Sequence, residues 1–107
     1  MERMKQQLII NGYIITKESK KSVEVEGGST GEAFYLLPNK EITIVLNPNK
    51  VEENEQLIEG SFSLNHNTSY MKFPKRHNTG ADLIHYGYSF KFRSEDEAVM
   101  FLKLHIG

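Results

Sequence analysis

The plainest pattern of apolar and polar positions lies in the stretch from Ala81 to Gly107, which predicts a long strand running into a closing helix. Tyr86, Tyr88, Phe90 and Phe92 recur at every second residue, with Gly87, Ser89, Lys91 and Arg93 between them. Successive side chains of a strand point to opposite sides of its sheet, so these four rings share one face. In a chain with six Phe, five Tyr and no Trp, that face is either a large part of the core or an exposed stacking platform. Aromatic neighbours across strands hold sheets together, and the core is the expectation.

After Phe92 the period lengthens. Ser94 followed by Glu97 forms a capping box, in which the serine oxygen accepts from a free backbone N–H of the first turn and the glutamate reaches back to the cap. Glu95, Asp96 and Glu97 place negative charge at the positive end of the helix dipole. Ala98, Phe101, Leu102 and His105 then follow the i, i+3, i+4, i+7 pattern, and Val99, Met100, Leu104 and Ile106 widen the stripe. A helix this apolar is expected to be nearly surrounded, or to pack on an open sheet and a partner.

Earlier in the chain the signals are shorter. Leu8-Ile9-Ile10 and Tyr13-Ile14-Ile15 flank Asn11-Gly12, a dipeptide that tolerates the positive φ of a tight hairpin turn; two strands, or one bulged strand, are expected there. Ser22 to Glu26 alternates as an edge-like strand with its charges outward. Gly27 to Gly31 (GGSTG) lacks the lysine and the strand-loop-helix setting of a phosphate loop, and reads as a hairpin loop. Ala33 to Leu37 and Glu41 to Leu46 are apolar strands joined by Pro38-Asn39-Lys40, and should be antiparallel neighbours. Asn47 and Pro48 suit a helix start, yet Ile58, Gly60, Phe62 and Leu64 alternate more cleanly, so a loop and then a strand are expected. Ser69 to Phe73 reads as another strand, and Pro74 to Asp82 as a polar loop.

About seven short strands and a terminal helix make an α+β chain that is mostly β, an antiparallel sheet or small barrel with one C-terminal α-helix. This order of elements resembles a pleckstrin-homology-type roll, in which a terminal helix plugs one end of a seven-stranded barrel. The resemblance covers the whole chain as topology, without a sequence motif, and the tryptophan typical of that helix is missing. It implies a closed barrel.

Length and composition narrow the class. Residues 1–107 form a single domain, enough for one core. No run approaches the apolar length needed to cross a bilayer, and the N-terminal residues lack an apolar signal region, so neither a membrane nor secretion is expected. With no cysteine there are no disulfides and no thiolate chemistry, which fits a cytoplasmic location.

Charge changes the picture more. Net charge is only −1, but from Glu41 to Gly60 five acids face one lysine, and from Tyr70 to Arg93 five bases (Lys72, Lys75, Arg76, Lys91, Arg93) face one acid. Lys91, Arg93 and His85 should share the face opposite the rings, with the Lys75-Arg76-His77 loop beside them and Tyr70 and Phe73 flanking it. Cations interleaved with aromatics suit a phosphate backbone and stacked bases. The expected binding surface is therefore Lys72, Lys75, Arg76, His77, His85, Lys91 and Arg93 with Tyr70 and Phe73. Solvation alone also charges the wet face of a sheet, and that is the plainer reading of the same residues.

Catalysis has no positive signal. His77, Asp82 and His85, with His66, offer metal-ligating groups for a nuclease-like enzyme, but their spacing matches no established ligand motif. There is no HExxH, no nucleophile elbow and no catalytic cysteine. A non-enzymatic module is expected, with no cofactor and no metal. Its partner is nucleic acid, or else a protein or a second copy held through a sheet edge or the terminal helix.

Overall fold

One antiparallel sheet carries the fold. The computed structural model describes residues 1–78, 80 and 82–107; Ala81, the expected first residue of the long strand, and Thr79 of the loop before it lie outside the described residues. The elements run α1 (Glu2–Ile10), β1 (Ile14–Glu18), β2 (Val23–Glu26), β3 (Ala33–Leu37), β4 (Ile42–Leu46), α2 (Pro48–Glu52), α3 (Glu55–Gly60), β5 (Ser63–His66), β6 (Lys75–His77), β7 (Leu83–Phe92) and α4 (Glu95–His105). Strand order is β1-β2-β3-β4-β7-β5, with β6 also paired to β7. The α+β, mostly β expectation holds. The sheet stays open, however, and α4 packs on a face of it alongside α1 instead of plugging a barrel end.

The strand-to-helix stretch forms where its pattern predicts, but α4 is covered on one side only: Met100 and Leu104, expected to widen its buried stripe, are 68% and 80% exposed. Ser94 caps α4 by accepting from the Glu97 N–H at 3.2 Å, and Ala98, Val99, Leu102 and Ile106 are buried. The β3–β4 hairpin pairs Leu36 with Ile44 and Leu37 with Thr43. Strands β2 to β4 are buried on both faces, which explains why AFYLL and ITIVL read as continuous apolar runs. One face packs Phe34, Leu36, Ile44, Leu46 and Phe90 against Met4 and Leu8 of α1 and Leu102 of α4. The other packs Tyr35, Leu37 and Val45 under Tyr70 and Phe73.

Four expectations are corrected. Asn11-Gly12 closes a helix instead of turning a hairpin: Gly12 sits at φ +89°, its N–H donates to Ile9 O, and the Tyr13 N–H donates to Leu8 O. That is a Schellman cap, which uses the same positive-φ tolerance as a hairpin turn. Ile9 and Ile10, 59% and 74% exposed, supplied the misleading strand-like triplet; the helix is held by Met4 and Leu8 one turn apart. Second, Asn47 caps α2 with Pro48 in its first turn, and Asn54 caps α3 by accepting from the Leu57 N–H at 3.2 Å. Two short helices therefore replace the expected loop and early strand. The first buries Pro48 and Val51 and the second Leu57 alone, too few to print a period.

Third, Ser69 to Phe73 is a loop that drops Tyr70 and Phe73 onto the far face, and the strand lies just after it at Lys75–His77. Fourth, β2 is interior to the sheet and Glu24 points under that loop, 7% exposed. Among the described residues no helix is long and apolar enough to cross a membrane.

Candidate nucleic-acid interface

The alternating rings of β7 divide between two environments. Phe90 and Phe92 lie in the core, each with its ring about 5 Å from that of Phe101 (4.9 and 5.0 Å). Tyr88 marks the limit of the helical cover, its hydroxyl donating to Glu52 of α2 at 3.0 Å. Burial, and secondarily that carboxylate, raise its pKa. Beyond Tyr88 the same face opens. Tyr86 is half-buried, with the His66 ring stacked on it at 5.9 Å and 24° and the Arg76 guanidinium 5.2 Å from its centroid.

Register brings these groups together from three strands. His66 of β5 pairs with Tyr86, and Arg76 of β6 pairs with Ile84, two residues earlier on β7. Alternation then sets His66, Arg76, Ile84 and Tyr86 on one face. Leu64, opposite Tyr88, continues it, and Phe62 just before β5 is 64% exposed with the Lys91 ammonium 3.9 Å from its ring centroid. His66 Nε2 is buried there without a hydrogen-bond partner. Cation over ring over imidazole is an arrangement that accepts further flat groups, since each face of a ring attracts cations and planar systems.

Of the surface expected from sequence, only part assembles. Tyr70 and Phe73 are buried, and the Tyr70 hydroxyl donates to Asn65 Oδ1 at 2.6 Å, so neither offers a face to a base. Lys72 is bound to Glu26 and lies 3.5 Å from Glu24, and its pKa is raised chiefly by the Glu26 bond. Lys91 is paired with Glu41 at 3.3 Å. Lys75, His77 and His85 share the sheet face opposite Arg76, where His85 Nδ1 donates to Phe73 O at 2.6 Å. Arg93 is exposed nine residues beyond Ile84, so about 30 Å from the Arg76 pairing site at the rise of a strand. Among the described residues, Lys75, Arg76 and Arg93 make no ion pair.

The stacking groups His66 and Tyr86 were absent from the expected set. Their alternation was visible in the sequence, but which end of the aromatic face the helices cover was not. Acidic α2 and α3, with Glu52, Glu53, Glu55 and Glu59 exposed, border the Tyr88 end of the surface, and basic β6 borders the other. His77, Asp82 and His85 do not converge: no group of three or more His, Asp or Glu among the described residues is placed to hold a metal ion. A cleft of about 220 Å³ between α3 and α4 is floored by Phe90, Phe92 and Phe101, with His105 on its wall. Burial, then Lys50, lowers the His105 pKa.

An open antiparallel sheet with helices on one face and an aromatic-cationic patch at one end defines a small α+β domain. The chain matches no protein-family model, and comparison with curated proteins and solved structures found no match.

Proposed function

We propose that this chain is a small non-catalytic binding module that takes single-stranded nucleic acid on the open face of β5, β6 and β7. The observation that carries the reading is the stack of Arg76 on Tyr86 on His66, on a sheet face that the helices leave uncovered. Flat sheet faces bearing rings hold unstacked bases, because every base has a π-face and rings accept it whatever the sequence. Duplex binding would need a helix or ribbon in a groove and a longer run of cations. Here Arg76 is the cation without an ion pair among the described residues that lies on the face of the rings, and Lys75 beside it points to the opposite face. The carboxylates of α2 repel phosphate past Tyr88, so the ligand path favoured is across β6. Arg93, on the far side of that acidic border, falls outside it.

Fluorescence anisotropy of short labelled DNA and RNA strands at low salt tests the reading. Binding that Tyr86→Ala and Arg76→Ala each weaken, with both variants folded by circular dichroism, supports it. Flat anisotropy for every strand, or binding that both variants leave intact, removes it.

A further inference from the structure

We infer that the free edge of β5 pairs antiparallel with the same edge of a second copy of this chain, joining two sheets into one across a two-fold axis. The inference stands on the edge of the sheet and needs no nucleic acid, whereas the proposed function stands on the face. The edges of this sheet differ in protection. Strand β1 has a bulge between Ile15 and Lys17, the charged pair Lys17 and Glu18, and Lys5 bridged to Glu18 at 2.6 Å. Strand β6 is three residues long and carries Lys75 and Arg76. Bulges, charges and short length are what natural sheets use to keep an edge from pairing. Strand β5 carries no charge and no register shift between Ser63 and His66, and its one irregularity comes before it, where the Phe62 N–H donates to Ser89 O. From Ser61 to His66 the chain reads Ser-Phe-Ser-Leu-Asn-His, without formal charge or proline, in a ladder that is regular from Ser63 to His66, with Phe62 and Leu64 64% and 38% exposed.

The ladder sets the register. The Asn67 N–H donates to His85 O at 3.0 Å, and alternation from there turns the backbone groups of Asn65 and Ser63 toward β7. Those of Leu64 and His66 then face outward. A two-fold axis beside Leu64 sets Leu64 opposite Leu64, which exchanges two N–H···O bonds with its twin, and sets the His66 N–H opposite the Phe62 carbonyl.

Charge selects a second copy as the occupant. Exposed Glu55 and Glu59 lie on α3, which leads directly into the Phe62 end of β5. Lys75 and Arg76 lie across β7 from the His66 end, through the pairing of Lys75 with His85. A two-fold reverses one copy against the other, so each acidic end meets the basic end of its twin. Both Arg76–Tyr86–His66 stacks then share one continuous face.

Sedimentation velocity from low to high micromolar concentration tests this, with Leu64→Lys and the β1 control Ile14→Lys run beside the wild type. The expected result is a species of twice the chain mass that Leu64→Lys halves and Ile14→Lys leaves intact. Hydrogen exchange on the wild type gives a second reading that depends on no variant folding. The His66 amide faces away from β7 and should exchange at least about tenfold more slowly when dimeric than when dilute. A monomer at every concentration, a dimer that survives Leu64→Lys, or a His66 amide indifferent to concentration overturns the inference.

Discussion

The Tyr35 hydroxyl donates to Glu24 Oε2 at 2.8 Å between paired residues of β2 and β3, and the same hydroxyl oxygen accepts the Lys72 N–H at 3.1 Å. One phenol thus joins the sheet to the loop that covers its far side. Thr16 donates to the other carboxylate oxygen at 2.7 Å, and the Ser22 and Ser69 hydroxyls, 2.7 Å apart, make a second tie to the loop. These bonds explain how a carboxylate is tolerated where only 7% of Glu24 is exposed.

Tyr35→Phe keeps the ring among Tyr70 and Phe73 but leaves the Lys72 N–H without its acceptor and Glu24 short of a donor. Stranding buried polar groups costs about 1–3 kcal/mol. The urea midpoint should fall by that free energy divided by the slope, which stays unchanged because the unfolded chain exposes the same surface.

Gly87 lies where the Phe73 ring packs on the sheet. A Cβ there would lie 2.6 Å from Val45 Cγ1, 2.7 Å from Leu46 O and 2.9 Å from the Phe73 ring. The carbonyl belongs to the β4 backbone and cannot turn aside. Gly87→Ala should therefore cost about 1–3 kcal/mol, the usual toll of overpacking, even though alanine suits a strand better than glycine. Thermal unfolding of the variant measures it.

Much of the fold was legible because period and chemistry agreed. Ser94 with Glu97, the alternation from Tyr86 to Phe92, and the β3–β4 hairpin each satisfied two independent signals. Misreadings came where one local signal serves two structures. Asn-Gly suits a hairpin turn and a helix end alike, and only the burial of Met4 and Leu8 against the sheet decides between them. The candidate surface was legible as types of residue and not as places. Tyr70 and Phe73 look like flanking rings in a polar loop, and nothing local says that the open sheet needs them as a second core. Lys72 and Lys91 look free, because their partners Glu24, Glu26 and Glu41 lie far off in sequence.

Acid should destabilise the fold in two stages. Burial, then Lys50, hold His105 below its ordinary 6.5. Burial pushes Glu24 up, but the bonds from Thr16 and Tyr35 with the Lys72 charge outweigh it and leave the carboxyl below its ordinary 4.5. In both cases the unfolded chain binds more protons within the shifted window, so stability rises with pH there. The His105 contribution is lost as pH falls from about 6.5 toward its folded value, and that of Glu24 as pH falls below about 4.5. Urea midpoints across pH 3 to 8 check this, roughly spanning both windows. His105→Gln should flatten only the upper stage relative to wild type, and Glu24→Gln only the lower.

Nucleic-acid affinity, if carried by the Arg76 stack, should depend only mildly on salt. Single strands lose affinity with a log–log slope of about −0.7 per neutralised phosphate. With Arg76 as the cation on the ring face, one phosphate contact gives a slope of about −0.7, or roughly a threefold loss between 50 and 200 mM salt. Arg76→Ala should lower both the affinity and the slope, by about 0.7 in the latter. Tyr86→Ala should instead weaken binding by about 1–3 kcal/mol with the slope unchanged, because stacking releases no counterions. Anisotropy titrations at four salt concentrations separate these effects. A wild-type slope several times steeper would mean that phosphates are gripped at some other part of the chain, and the rings of β7 would then have no claim to the ligand.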